Sequence, residues 1–346
     1  MVDSLRGAVV FRMVLGVAAS CALTACDSQH GTTPSDDGWQ LVQRDLPGAL
    51  LSVWGRADDD VWAVGADARD GSGPLVLHFD GDAWTRVSTG LTQGDLWWVF
   101  GTGDGTIYFG GNGGVIVRHR ADTYEVMDTP GTGTVYGIWG AGPDDVWAVG
   151  GDSDASGGFA WRLVGDGWQA EASLPADVPT NAALWKAYGT AANDVWLVGS
   201  NGVSLHWDGA ALTPGDTGVG SSLFTVHEHG GLWAAVGGLA SGIIVESDDG
   251  TSWHDVTPTP PPMGLAGVTL GDDGTGVAVG FEGTVYIRHQ GMWVVEDPGL
   301  RVRQSLHGSW IDESGGLWVV GGQTLTSPLS EGVLLHRGAA VPEGGI

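Results

Sequence analysis

Two histidines one residue apart, His227 and His229, are the first pair in this 346-residue sequence whose spacing could do chemistry. Alternate residues of a strand point to the same face, so both imidazoles can reach one metal ion if a third ligand joins them. A second constellation, Asp152, Asp154 and Ser156 before Gly157, has the Asp-x-Asp-x-Ser-Gly spacing that sets oxygen ligands around Ca²⁺. The helix-loop-helix form of such a site needs a bidentate Glu at its twelfth position, and Leu163 stands there. The segment therefore reads first as an Asp/Ser/Gly loop, with a looser Ca²⁺ site as the alternative. No other cofactor is expected, and neither a nucleophile elbow nor a phosphate loop is present.

The elements that must carry these residues come from internal repetition. One unit runs Leu51-Ser-Val-Trp-Gly55, a turn, Val61-Trp-Ala-Val-Gly65, a loop, Leu75-Val-Leu-His-Phe79, the turn Asp80-Gly81, and Trp84-Thr-Arg-Val87. It recurs around Asp145-Val-Trp-Ala-Val-Gly150 and Asp194-Val-Trp-Leu-Val-Gly199, with weaker copies between and after. Taking the Gly that ends the second strand as the anchor gives Gly65, Gly110, Gly150, Gly199, Gly237, Gly280 and Gly321, spaced by about 38 to 49 residues. Each unit holds four strand-like runs, apolar on both faces as sheets stacked between other sheets must be. The expectation is an all-β, seven-bladed β-propeller of four-stranded antiparallel blades over residues 38–338, followed by a tail, 339–346.

The seventh unit stops after its third strand at Val333-Leu-Leu-His-Arg-Gly338. The missing fourth strand is expected at 38–43, where Gly38-Trp39-Gln-Leu-Val42 has the fourth-strand pattern. Pairing it into blade 7 closes the ring and leaves no open sheet edge, and a monomer is expected.

Eighteen Trp suggest stacking platforms for sugars, but most recur at fixed repeat positions, where core packing is a sufficient reason. The ones off the pattern, Trp97, Trp98, Trp161, Trp207 and Trp310, are the candidates for exposed binding aromatics. His78, His119, His206, His289 and His336 each precede an outer turn and read as one repeat position spread around the ring.

The net charge is −27, with 32 Asp, 9 Glu, 13 Arg and one Lys. No nucleic-acid partner is expected for such a chain, because neutralising phosphates takes clustered Lys and Arg. The excess of Asp over Glu fits turns, where Asp bonds the local backbone. The long loops 66–74, 151–158, 169–183, 254–263 and 323–332 share one face with the short ones at Asn112-Gly113 and Asn201-Gly202. That face is the expected docking surface for a protein or carbohydrate ligand.

Residues 1–25 read as a secretory signal: a basic flank, a short apolar run from Met13 to Leu23, then small residues. Leu23-Thr-Ala-Cys26 resembles the bacterial lipobox, which implies lipidation of Cys26, membrane attachment through that lipid and a location in the cell envelope. Residues 26–37 then form a polar tether.

Glu246-Ser-Asp248-Asp-Gly250-Thr-Ser252-Trp253 resembles the Asp-box, Ser-x-Asp-x-Gly-x-Thr-Trp, of sialidase-like propellers. Asp248, Gly250 and Trp253 match, Ser252 is a near match and Glu246 departs from Ser. The box is a folding device. With the Trp-Gly and Asp-Val-Trp-Ala-Val-Gly repeats, it makes the chain similar to non-catalytic repeat propellers of bacterial surface lipoproteins. The resemblance implies a membrane-anchored binding scaffold, with a sialidase-like or other carbohydrate-active hydrolase as the alternative. Hydrolysis of that type needs arginines gripping a carboxylate and a Tyr nucleophile with an acidic partner at the channel mouth.

Overall fold

A computed structural model describes residues 38–152, 157–171 and 174–344. Residues 1–37, where the sequence suggests a signal peptide, Cys26 lipidation and a tether, lie outside the described residues, as do Asp154 and Ser156. The described residues form seven four-stranded antiparallel sheets, each strand pairing with the next in sequence except in the last sheet. This is a seven-bladed β-propeller with almost no helix. Among the described residues no helix is long and apolar enough to cross a membrane.

Blade 7 is closed as the sequence implied. The strand Trp39–Leu46 pairs antiparallel with Ser330–Arg337, with Trp39 opposite Arg337 and Leu41 opposite Leu335. Val42 and Leu46 are buried beneath it. The segment after Gly338 folds back onto the same strand: Val341 donates its backbone N–H to the Gln40 Oε1 and Gly344 to the Val42 carbonyl.

The first strands, Leu50–Ala57, Leu96–Gly101, Thr134–Gly142, Leu184–Ala191, Leu223–His229, Leu265–Leu270 and Ser305–Ile311, form the innermost ring. Every one carries a register shift of one residue against its second strand, at Leu50/Ser52, Leu96/Trp98, Val135/Gly137, Leu184/Lys186, Leu223/Thr225, Leu265/Gly267 and Leu306/Gly308. A bulge adds one unpaired residue and re-aims its side chain. The repeat pattern did not reveal it.

The repeated glycines now have a steric reason. A Cβ on Gly65, Gly150 or Gly237 would lie within 2.0 Å of the carbonyl oxygen of Ala49, Thr134 or Ser222, where the next strand begins. In blade 2 the residue in this frame is Gly111, opposite Leu96, rather than Gly110. The Gly after the inner-ring aromatic serves the neighbouring blade. A Cβ on Gly101 would be 2.0 Å from the Trp54 ring, and one on Gly55 2.4 Å from Trp310. Trp-Gly is thus a device for packing blade against blade.

The histidine position is also corrected. His78, His206 and His336 do share a site, facing and stacking near Trp62, Trp196 and Trp318. His119 and His289 do not share it. In blades 2 and 6 the equivalent residues are Arg118, opposite Tyr108, and Ile287, opposite Val277. Glu246 takes the position in blade 5, opposite Ala234.

Candidate ligand site in the axial channel

The bulge sets what lines the axis. Its extra residues Trp97, Tyr136, Trp185, Phe224, Ala266 and His307 wall a cavity of about 240 Å³, together with Leu239, Phe281 and Leu325 from loops joining second to third strands. The cavity therefore opens on the long-loop face. These loops meet the fourth-to-first connections directly: Asn112 N–H donates to the Asp95 carbonyl, and Gly242 N–H to that of Pro262. Leu239 and Leu325 are exposed at 64% and 59%, so the mouth carries an apolar rim.

Below it lies a second cavity of about 180 Å³, walled by Trp54, Phe100, Trp139, Tyr188, His227 and Trp310 and reached past Trp98 and Lys186. Among the described residues no Asp, Glu or Arg lines either cavity. The arginines are spent outward, on Arg162 with Asp145, Arg118 with Asp166 and Glu125, and Arg288 with Glu246.

Lys186 is the polar residue of this wall that sequence reasoning missed, although a single lysine among 346 residues was the available signal. It lies at the third inner-ring position, where the seven blades present Ser52, Trp98, Gly137, Lys186, Thr225, Gly267 and Gly308. Gly137, between Trp98 and Lys186, has no side chain, and a Cβ there would lie 3.0 Å from the Lys186 backbone. The lysine and the indole therefore meet over it. Lys186 Nζ donates to the Tyr136 carbonyl at 3.0 Å and lies 3.1 Å from the Trp98 ring centroid. Burial drives the amine well below its ordinary range.

Two axial histidines are kept neutral by the same desolvation. His307 is pushed down to about 4, chiefly by burial. Its Nδ1 donates to the Leu51 carbonyl at 2.7 Å, which leaves Nε2 without the proton. His227 is pushed down to about 3 by burial and by His229. Its Nδ1 accepts the Leu270 backbone N–H.

The structure brings His227 and His229 to the wall of one open cleft of about 1110 Å³, yet His229 engages Asp272 at 2.8 Å and His227 faces the channel. Among the described residues no group of three or more His, Cys, Asp and Glu side chains is placed to hold a metal ion. Asp152 ends the second strand of blade 3.

Three of the five candidate aromatics reach the channel: Trp97 at the mouth, Trp98 beside Lys186 and Trp310 in the lower cavity. The other two are corrected. Trp161 is 3% exposed and stacked on Phe159, and Trp207 is 6% exposed against Trp147. Both lie on third strands, which face neighbouring blades rather than loops. Trp185, not among the five off-pattern tryptophans, is the extra residue of its bulge and belongs to the mouth.

The turn that resembles an Asp-box is capped by Asp249, one residue beyond Asp248. Asp249 accepts the backbone N–H groups of Thr251 and Ser252, and these bonds hold its carboxyl well below the ordinary range. Asp80 and Asp208 cap the matching turns of blades 1 and 4 in the same way. Blade 5 has one more residue before its Asp-Gly pair, so the match shifts by one. Gly250 has φ +70°, and Trp253 Nε1 donates to the Gly250 carbonyl.

No protein-family model and no curated protein matches this sequence. Solved structures do resemble it. YCF48 bound to D1 peptide has a TM-score of 0.66 at 14% identity, over 89% of this chain and 100% of that one. A catalytically inactive virginiamycin B lyase from Staphylococcus aureus with quinupristin has a TM-score of 0.66 at 12% identity, over 86% and 99%. The WD40 β-propeller domain of Doa1 has a TM-score of 0.62 at 16% identity, over 87% and 97%. Likeness at these identities defines the class, a seven-bladed propeller, and one fold serves a lyase as well as binding domains.

Proposed function

We propose that the protein is an extracytoplasmic binding scaffold, anchored by a lipid on Cys26, that docks a polypeptide partner on its long-loop face. The observation that carries the docking is the axial mouth, an apolar cavity walled by Trp97, Tyr136, Trp185 and Phe224. Concave aromatic walls with an exposed apolar rim are where partners bury side chains. The partner would insert an apolar or aromatic side chain there and bring neutral or basic residues to the surrounding surface. A net charge of −27 disfavours an acidic one. A propeller of similar fold bound to a peptide supports a polypeptide over a sugar. The hydrolase alternative draws no support from the two axial cavities, which hold Tyr136 and Tyr188 but neither arginine nor carboxylate among the described residues; in the open cleft beyond Tyr188 and His227, Arg288 is already paired with Glu246.

The test is site-specific photo-crosslinking in the producing cell. A benzophenone residue at Leu325 should capture a polypeptide, and one at Val126, exposed on an outermost strand, should not. Equal capture at both positions contradicts docking at the mouth. Anchoring is checked separately. Cys26→Ser should abolish incorporation of an alkyne-tagged fatty acid and release the protein from the membrane fraction, and unchanged partitioning would exclude the lipid anchor.

A further inference from the structure

The axial wall holds an amine with no anion. Lys186 is 5% exposed, and among the described residues its partners are one carbonyl and one ring face. An ammonium has three donors, and a buried charge without a counter-charge costs stability. The chain has 41 acidic residues, yet among the described residues none lines either cavity around this amine. The titratable groups facing it are Tyr136 and His307, with His227 and Tyr188 lower in the channel. None supplies a negative charge: both histidines are neutral, and burial raises the Tyr188 phenol.

From this geometry we infer that the axial cavities are a binding site for a small organic carboxylate with an apolar body. The carboxylate rests on the Lys186 amine, and the body lies against Trp97, Trp185 and Phe224. Size and charge select this class. Cavities of about 180 and 240 Å³ are each below the roughly 300 Å³ at which pockets for drug-sized molecules begin. One amine matches one carboxylate, whereas a phosphate dianion would leave a charge unpaired among aromatic rings. Burial disfavours the charged amine, so an ionised ligand that restores the ammonium–carboxylate pair binds with uptake of protons from solvent. The inference goes beyond docking of a polypeptide at the rim. It shares the aromatic cavity with the docked side chain proposed above and adds Lys186, so titration with free acids tests this inference and crosslinking at Leu325 tests the docking, and either can fail alone.

The experiment is calorimetric titration of the full chain at pH 7 with phenylacetate, indole-3-acetate and 4-methylpentanoate, each beside its neutral primary amide. Buffers of different ionisation enthalpy give the proton balance. At least one acid should bind saturably with net proton uptake, and its amide and the Lys186→Met variant should each bind at least about tenfold more weakly. Because Met replaces a buried amine with an apolar chain, that variant should also melt higher than the parent. A second arm needs no variant: the single lysine, labelled with ¹⁵N, should shift its side-chain resonance with the acid and not with the amide. Equal binding of acid and amide, full binding by Lys186→Met, or no saturation by any of the three acids below about 10 mM would overturn the inference.

Discussion

The layers between blades and the wall of the axis are built from the same seven repeats, yet they follow different rules. Between blades the chemistry recurs: Trp62, Trp196 and Trp318 stack near His78, His206 and His336, and Trp54 and Trp310 lie over the next blade's Gly101 and Gly55. At the axis a single ring position holds Ser52, Trp98, Gly137, Lys186, Thr225, Gly267 and Gly308. Equivalent interfaces favour one solution used again, here the Trp–His pair of blades 1, 4 and 7. A ligand on a seven-fold axis needs an asymmetric wall, and the axial position departs from the repeat more widely than the layers between blades do.

The comparison can be broken hardest at the ring's seam. Deleting residues 38–46 removes buried Val42 and Leu46 and bares the edge of Ser330–Arg337. The expected loss exceeds about 5 kcal/mol, because each large apolar side chain contributes about 1.5–3 kcal/mol and an open edge invites aggregation. Calorimetry should show no cooperative melt near that of the parent, and an unchanged melt would refute closure. A repeat position used in a nonrepeating way comes next. Glu246 accepts two bonds from Arg288, at 2.7 and 3.0 Å, and one from Trp293 Nε1 at 2.7 Å, tying blade 5 to blade 6. Glu246→Ala strands a nearly buried guanidinium and should cost about 3 kcal/mol in urea unfolding, with axial binding retained.

Taken per histidine and per pH unit, acid gives the smaller effect, and it tests both regions together. His227, His307 and His336 have folded values of about 3, 4 and 4 against an ordinary 6.5. Above pH 6.5 both folded and unfolded chains leave them neutral. As the pH falls from 6.5 towards 4, the unfolded chain takes up protons that the folded chain refuses, so stability falls by up to about 1.4 kcal/mol per pH unit for each histidine. The melting temperature should decline through this window, and His307→Gln should make the decline shallower. A flat profile between pH 6.5 and 4.5 would show that these imidazoles charge freely in the folded state.

Architecture was legible in the sequence because it is periodic. Blade number, strand count and the closing strand all followed from one recurring glycine and the Trp-Gly and Asp-Gly pairs. Register was less legible. A bulge hidden in every first strand moves Trp185 from the core class to the mouth, and one added residue moves the turn cap from Asp248 to Asp249. Off-pattern tryptophan proved a mixed signal: Trp97, Trp98 and Trp310 reach the axis, while Trp161 and Trp207 fill gaps between blades. Lys186 was visible as a lone residue, but its meaning needed blades 2, 3 and 4 to meet across Gly137.

Pairing Trp39–Leu46 with Ser330–Arg337 also orders the birth of the molecule. The segment that becomes the outermost strand of blade 7 leaves the ribosome before any blade exists and has no partner until nearly the whole chain has followed. Six blades can assemble as they appear, but the seventh joins residues almost 300 positions apart, a contact of high sequence separation and therefore slow to form. Until then both complementary edges are free to pair with other chains. Ring closure is thus a late folding step, and the interval before it is when this protein is most exposed to misassembly.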